Sequence, residues 1–177
     1  MKKVVLVTGT PGTGKTSVAL GLSKYFGYEY IHIGDHREYV SEVVKGVKII
    51  DIDKMIAWIK ARQEKSERVL VIDSHLSHHY PKELTEICFV LRCDPAELRL
   101  RLKERGYNDK KINVNLEAEA MDLILQEALE EGHTVHEINT THRDVKSSVW
   151  EAVKVLEKSL KPSYGKVDFS YYLEKND

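Results

Sequence analysis

Short unbroken apolar runs alternate along this chain with longer stretches whose apolar residues recur at helical spacing. Residues 4–7, VVLV, form the first run and are stopped by TGTPGTGKT. Residues 17–26 then show helical spacing and end at Gly27, a residue suited to a helix C-terminus. Residues 28–33 alternate as a short strand. GDHREYVSEVVKG, residues 34–46, is polar, predicts a partly helical segment without a core face, and marks a place for a substrate-binding insert. Ile52, Met55, Ile56 and Ile59 make one helical stripe over residues 51–65, where Asp51 or Asp53 can accept from free N–H groups at the N-terminus. Residues 68–72 and 87–91 are apolar runs without alternation, the pattern of parallel strands covered by helices on both faces. Asp94-Pro95 opens a helix that stops at Arg105-Gly106, and a second long helix is predicted over 116–131, ended by Gly132. A last strand at 134–138 and a final helix from Asp144 to residue 160 complete an α/β pattern. Pro162 and Gly165 detach a tail carrying Tyr164, Phe169, Tyr171 and Tyr172, which either packs on the domain or serves a partner.

Composition narrows the classes. A chain of 177 residues with 42% hydrophobic content holds one domain, 1–177, with a sizeable core. A net charge of −1 excludes a chain built mainly to coat nucleic acid or an anionic membrane. Cys88 and Cys93 stand five apart with no disulfide framework, so a reducing, cytoplasmic location is expected. The opening MKKVVLVTG has too short an apolar run for a signal-peptide core or a membrane span, and no membrane partner is expected.

The chemistry begins at Gly9-Thr10-Pro11-Gly12-Thr13-Gly14-Lys15-Thr16, which fits G-x-x-x-x-G-K-[ST] between a strand and a helix. Glycines let the backbone wrap phosphate oxygens, the helix N-terminus adds its positive dipole end, Lys15 neutralises the β- and γ-phosphates, and the Thr16 hydroxyl can ligate Mg²⁺. Nucleotide binding follows. Asp73, at the end of a buried strand, is the acid expected to hold the Mg²⁺ water shell, the alternative being a helix-capping or turn acid. His75 lies two residues on, so in extended chain both side chains share a face, which makes His75 a candidate to orient water or exchange protons. A solvated loop imidazole is the competing reading, and it is the favoured one for His78 and His79. Zinc needs three or four converging ligands, and no matching cysteine or acid spacing surrounds these histidines, so Mg²⁺ on the nucleotide is the expected metal.

Four features together resemble the adenylate kinase isoenzyme six family, also called the coilin-interacting nuclear ATPase family, in an archaeal-type form. They are GTPGTGKT, YIHIGD at residues 30–35, VIDSH, and RLKERGYNDKKINVN at residues 101–115, and they span roughly residues 1–130. The resemblance implies a P-loop nucleoside-monophosphate-kinase-like fold with a five-stranded parallel sheet flanked by helices, a monophosphate-binding insert near 31–54 and a short lid near 104–114. It implies ATP + AMP ⇌ 2 ADP with ATP hydrolysis, and a role in small ribosomal subunit maturation through a ribosomal protein of the S-eleven family. On the matching positions, Gly12, Thr13, Gly14, Lys15, Thr16 and Ser17 are the ATP loop, Arg105 begins the lid and contacts ATP, and Asp73 and His75 are the D-x-H pair. Asp35 and Arg37 are the counterparts of AMP contacts, although Arg37 stands one position early. SHHYPKE departs from the family after D-x-H, with Lys82 in place of an acid. The lid lacks the several arginines of ordinary adenylate kinases and offers Lys110 and Lys111, which weakens charge stabilisation of a transferring phosphoryl group and leaves an assembly ATPase with little kinase turnover as the alternative. A kinase of another small metabolite is a third possibility.

Overall fold

The computed structural model describes residues 2–44 and 46–174. The chain runs β1 (Val4–Thr8), α1 (Lys15–Phe26), β2 (Glu29–His32), β3 (Val40–Val44), β4 (Val47–Ile50), α2 (Ile52–Lys65), β5 (Leu70–Asp73), β6 (Thr85–Arg92), α3 (Pro95–Glu104), α4 (Asp109–Ala120), α5 (Leu123–Glu130), β7 (Val135–Asn139), α6 (Val145–Leu156) and α7 (Tyr171–Glu174).

Five strands form one parallel sheet in the order β2-β5-β1-β6-β7, as expected. The unalternating apolar runs are explained by burial on both faces, with successive residues feeding opposite cores. Val4, Leu6, Leu70, Ile72, Cys88 and Val90 pack with Met55 and Ile59 of α2 and Leu125 and Ala128 of α5. Val5, Val7, Val71, Phe89 and Leu91 pack with Val18, Ala19 and Leu22 of α1 and Ala152 and Val153 of α6. The chain leaves β1 toward β2 on one side and later fills β6 and β7 on the other, so a crevice opens at the C-terminal ends of these strands.

Three expectations change. The described residues of 34–46 hold no α-helix; Val40, Val43, Val44, Val47, Ile49 and Ile50 instead make an antiparallel hairpin of β3 and β4 with Gly46, whose φ is 80°, between the strands. β-Branched residues favour this form, and exposed Val43 and Val47 explain why no core face was visible. The long helix expected over 116–131 starts earlier, at Asp109 with Asn108 accepting from the Lys111 N–H, and breaks before α5 at Asp122. Asp122 stands at φ 56°, where its carboxylate takes a hydrogen bond from buried Arg92. The final helix stops at Leu156, short of residue 160. The tail returns to its own domain: Phe169 is buried, Tyr171 donates to Asp94 Oδ2 at 2.9 Å, and Tyr172 accepts from Arg99 at 3.0 Å.

Candidate nucleotide site

The loop between β1 and α1 can close only with glycine at its tightest points. A side chain at Gly9 (φ 138°) would place Cβ 2.4 Å from Leu91 O, and one at Gly12 (φ 92°) would meet Leu98 at 2.8 Å. Thr13 Oγ1 donates to Thr10 O at 2.8 Å, and Lys15 Nζ folds back onto the same carbonyl at 3.1 Å. Burial lowers the Lys15 ammonium to about 8, with Asp73 and Glu119 opposing and Arg105 assisting. An anionic phosphate at Nζ would reverse that shift, because an adjacent negative charge favours the protonated form.

Parallel pairing of β1, β5 and β2 puts Val7, Asp73 and His32 side by side. One oxygen of fully buried Asp73, Oδ2, therefore accepts from Thr16 Oγ1 at 2.6 Å, from Tyr30 OH at 3.0 Å and from His32 Nδ1 at 3.0 Å. Burial alone would raise the carboxyl, but the His32 and Thr16 hydrogen bonds and the Lys15 charge hold it below the usual carboxylate range. In return the Asp73 hydrogen bond raises His32, and burial followed by the Asp73 charge raises Tyr30. Asp73 Oδ1 is buried and has no hydrogen-bond partner among the described residues. A bare carboxylate oxygen next to the Thr16 hydroxyl fits the water shell or the surface of a Mg²⁺ ion, so Thr16 and Asp73 are the residues that would hold one.

Two cavities flank the loop. One of about 290 Å³ is bounded by Gly12, Gly14, Ser17, Thr140, Arg143 and Arg105. The other, about 700 Å³, contains Lys15, Thr16, Asp73, His75, Lys48 and again Arg105. Arg105, at the C-terminus of α3, is the boundary between them, and Tyr107 and Lys111 beside it make the lid side of the larger one. Lys111 Nζ sits 3.9 Å over the Tyr107 ring, a cation–π contact that holds the lysine toward the cavity wall. The phosphate loop is braced from behind as well: Arg101 donates to Gly12 O at 3.3 Å and Thr140 Oγ1 donates to Thr13 O at 3.0 Å.

The structure thus brings Gly12, Thr13, Gly14, Lys15, Thr16, Ser17, Asp73, His75 and Arg105 around one crevice. His75 lines the larger cavity, where desolvation, then the Lys15 charge, holds the imidazole below its ordinary value. Asp35 and Arg37 are exposed on the insert and line neither cavity; the insert contributes Gly34 and Lys48 instead, with Lys48 Nζ donating to Gly34 O at 2.7 Å. His78 is no solvated loop residue. It is fully buried, Nδ1 lies 3.1 Å from Thr8 Oγ1, and Nε2 lies 3.1 Å from Glu127 Oε2. His79 is half-buried with Nδ1 3.3 Å from Glu131, and Glu127, distant in sequence, is the acid that spacing could not supply.

Sequence reading missed His32, Tyr30 and Glu119. The first two sit inside the YIHIGD segment, but only the β2–β5 register shows that they meet Asp73. Glu119 accepts from Thr10 Oγ1 of the phosphate loop at 2.5 Å, from the Cys93 N–H at 3.0 Å and from Arg92 Nε at 2.9 Å. Its position on α4, within the Glu-rich helix, carried no sign of burial beyond helical spacing from Leu116.

A strand, glycine loop and helix closing on a lysine, with an acid at the end of the neighbouring parallel strand, define a P-loop nucleotide-binding protein of the kinase type. Solved structures share that fold: a sugar kinase from Janibacter sp. HTCC2649 superposes with a TM-score of 0.62 at 17% identity, over 89% of this chain and 95% of that one. A deoxyadenosine kinase from M. mycoides does so with a TM-score of 0.57 at 18% identity, over 90% of this chain and all of that one. Residues 5–122 match the AAA domain family. A Thermococcus onnurineus protein named "Putative adenylate kinase" is 38% identical over 174 residues, 97% of this chain and 94% of its own length. A Pyrococcus abyssi protein of the same name is 37% identical over 169 residues, 94% of this chain and 91% of its own. The chain belongs to this AAA domain family and to the same family as these archaeal proteins.

Proposed function

We infer that the protein is an ATP:AMP phosphotransferase, forming 2 ADP from ATP and AMP, with accompanying ATP hydrolysis. The carrying observation is the pair of cavities on either side of the phosphate loop that meet at Arg105: a small one suited to the donor nucleotide's base and sugar, and a larger one, open to the insert, suited to an acceptor phosphate. The name shared by the archaeal relatives supports the same reading.

Lys15 and the loop N–H groups hold the donor β- and γ-phosphates, and Arg105 faces the charge that develops between donor and acceptor. Mg²⁺, when bound through Thr16 and Asp73, supplies charge neutralisation on the phosphates. Asp73 stays ionised for that role because three donors converge on its Oδ2. His75, uncharged, orients the attacking group by a hydrogen bond, and its depressed basicity makes it a poor proton acceptor in the ground state. The γ-phosphoryl passes to an AMP phosphate oxygen or, when that position holds water, to water, whose proton leaves with inorganic phosphate. A lid with Arg105 and Lys111 but no further arginine permits the second outcome.

The test is ADP production from ATP with and without AMP, alongside phosphate release. Two ADP per AMP consumed supports the phosphotransferase; phosphate release indifferent to AMP, with no AMP consumed, identifies an ATPase instead. The ribosomal partner of the S-eleven family rests on the motif resemblance, and adding such a protein to the phosphate-release assay tests it, a change in rate being expected.

A further inference from the structure

The buried face of the turn after β5 holds a second constellation outside the phosphate site. His78 and His79, on a single 3₁₀ turn, and Glu127 of α5 offer one ligand atom each, all within 4.8 Å of one another. His78 is wholly buried, and its Nε2 faces Glu127 Oε2 at 3.1 Å without hydrogen-bond geometry, so this nitrogen has no hydrogen-bond partner among the described residues. Its other nitrogen, Nδ1, is 3.1 Å from Thr8 Oγ1. With the ring proton on Nδ1 and donated to Thr8, Nε2 is a lone pair set against a carboxylate oxygen. In that tautomer two acceptors face each other at 3.1 Å, and a cation bound by both removes the repulsion.

We propose that His78, His79 and Glu127 form a binding site for a divalent transition ion of the zinc type. Two imidazoles and one carboxylate suit Zn²⁺ or Co²⁺ and not Mg²⁺, which prefers oxygen and keeps its water. The Thr8 hydroxyl can accept from His78 Nδ1–H in the manner of hydrogen-bonded partners behind metal-bound histidines, and the Glu131 carboxylate at 3.3 Å accepts from His79 Nδ1–H, leaving an Nε2 on each ring for the ion. Three protein ligands leave one tetrahedral position open. Because His79 and Glu127 line the 700 Å³ cavity, that position faces the cavity that also contains Lys15 and Asp73. The ion would join the turn after β5 to α5, elements remote from each other in the sequence.

The test uses untagged, chelator-treated full-length protein titrated with Co²⁺ and followed by its visible d–d absorption, then with Zn²⁺ as competitor. A saturable tetrahedral spectrum at one equivalent, displaced by Zn²⁺ and not by Mg²⁺, is expected. Glu127→Gln and His79→Ala, both at positions only partly buried, should each weaken binding about tenfold or more while far-UV circular dichroism stays unchanged. Asp73→Asn should leave the spectrum intact. A wild-type protein with no tetrahedral Co²⁺ spectrum overturns the proposal. So does a spectrum lost in Asp73→Asn but kept in Glu127→Gln and His79→Ala, which would place the metal at the phosphate site. Zn²⁺ should also raise the melting temperature of the wild type more than that of Glu127→Gln, and an equal rise in both counts against the site.

Discussion

Replacing His32 by glutamine removes the ring charge beside Asp73 while leaving an N–H able to donate to Oδ2. The wild-type His32 to Asp73 distance is 3.0 Å, with the carboxylate fully buried and the imidazole 35% exposed. His32 is raised above its ordinary 6.5 by the Asp73 hydrogen bond first, and Asp73 lies below its ordinary 3.8. A raised histidine contributes stability that is complete below its unfolded value and lost as pH rises through its folded one. A lowered aspartate contributes stability that is complete above its unfolded value and lost as pH falls through its folded one. The charge pair is therefore worth most between 3.8 and 6.5. A charged hydrogen bond contributes about 1.5–3 kcal/mol, and screening at this partly exposed ring reduces it to about 1 kcal/mol. For a domain of this size that is about 2–4 °C in melting temperature. Thermal melts of wild type and His32→Gln at about pH 5.5 should differ by that amount, and at about pH 9 the difference should vanish. A gap that is the same at both pH values would refute the charged pair and leave His32 as an ordinary neutral donor.

Lys15→Ala should lower phosphotransfer and hydrolysis together by at least about a hundredfold, measured by ADP and phosphate release, because Lys15 supplies the preorganised charge at the β/γ-phosphates. His75→Ala should reduce hydrolysis more than ATP affinity, and equal losses in turnover and in calorimetric binding would make the residue structural. Glu119→Gln leaves buried Arg92 one carboxylate short and should cost about 3 kcal/mol in urea melts. Phe169→Ala removes a buried ring that Arg92 stacks upon at 5.4 Å, and a loss of about 3 kcal/mol is expected from the cavity it leaves.

Much of the fold was legible because parallel strands buried on both faces leave uninterrupted apolar runs, and because glycine, Asp94-Pro95 and Asp144 mark helix ends by local chemistry. The phosphate loop was legible for the same reason: its function lies in eight consecutive residues. What stayed hidden depends on partners remote in sequence. The break at Asp122 is held by Arg92, the hairpin at 40–50 has no core to impose a pattern, and His32 acquires its role only when β2 falls into register with β5. His78 looked like a loop residue since nothing local shows that Thr8 and Glu127 enclose it.

Arg92 gives the molecule a long reach. On one side it holds Glu119, which holds Thr10; on the other it pairs with Glu137, whose second oxygen accepts the N–H groups of Gly165 and Lys166. Residue 10 and residue 165 are thus four hydrogen bonds apart, near opposite ends of the chain. The backbone of residues 165 and 166 is thereby wired to Thr10 of the phosphate loop through Glu137, Arg92 and Glu119, so a change in the tail can reach the loop without touching a residue that lines either cavity.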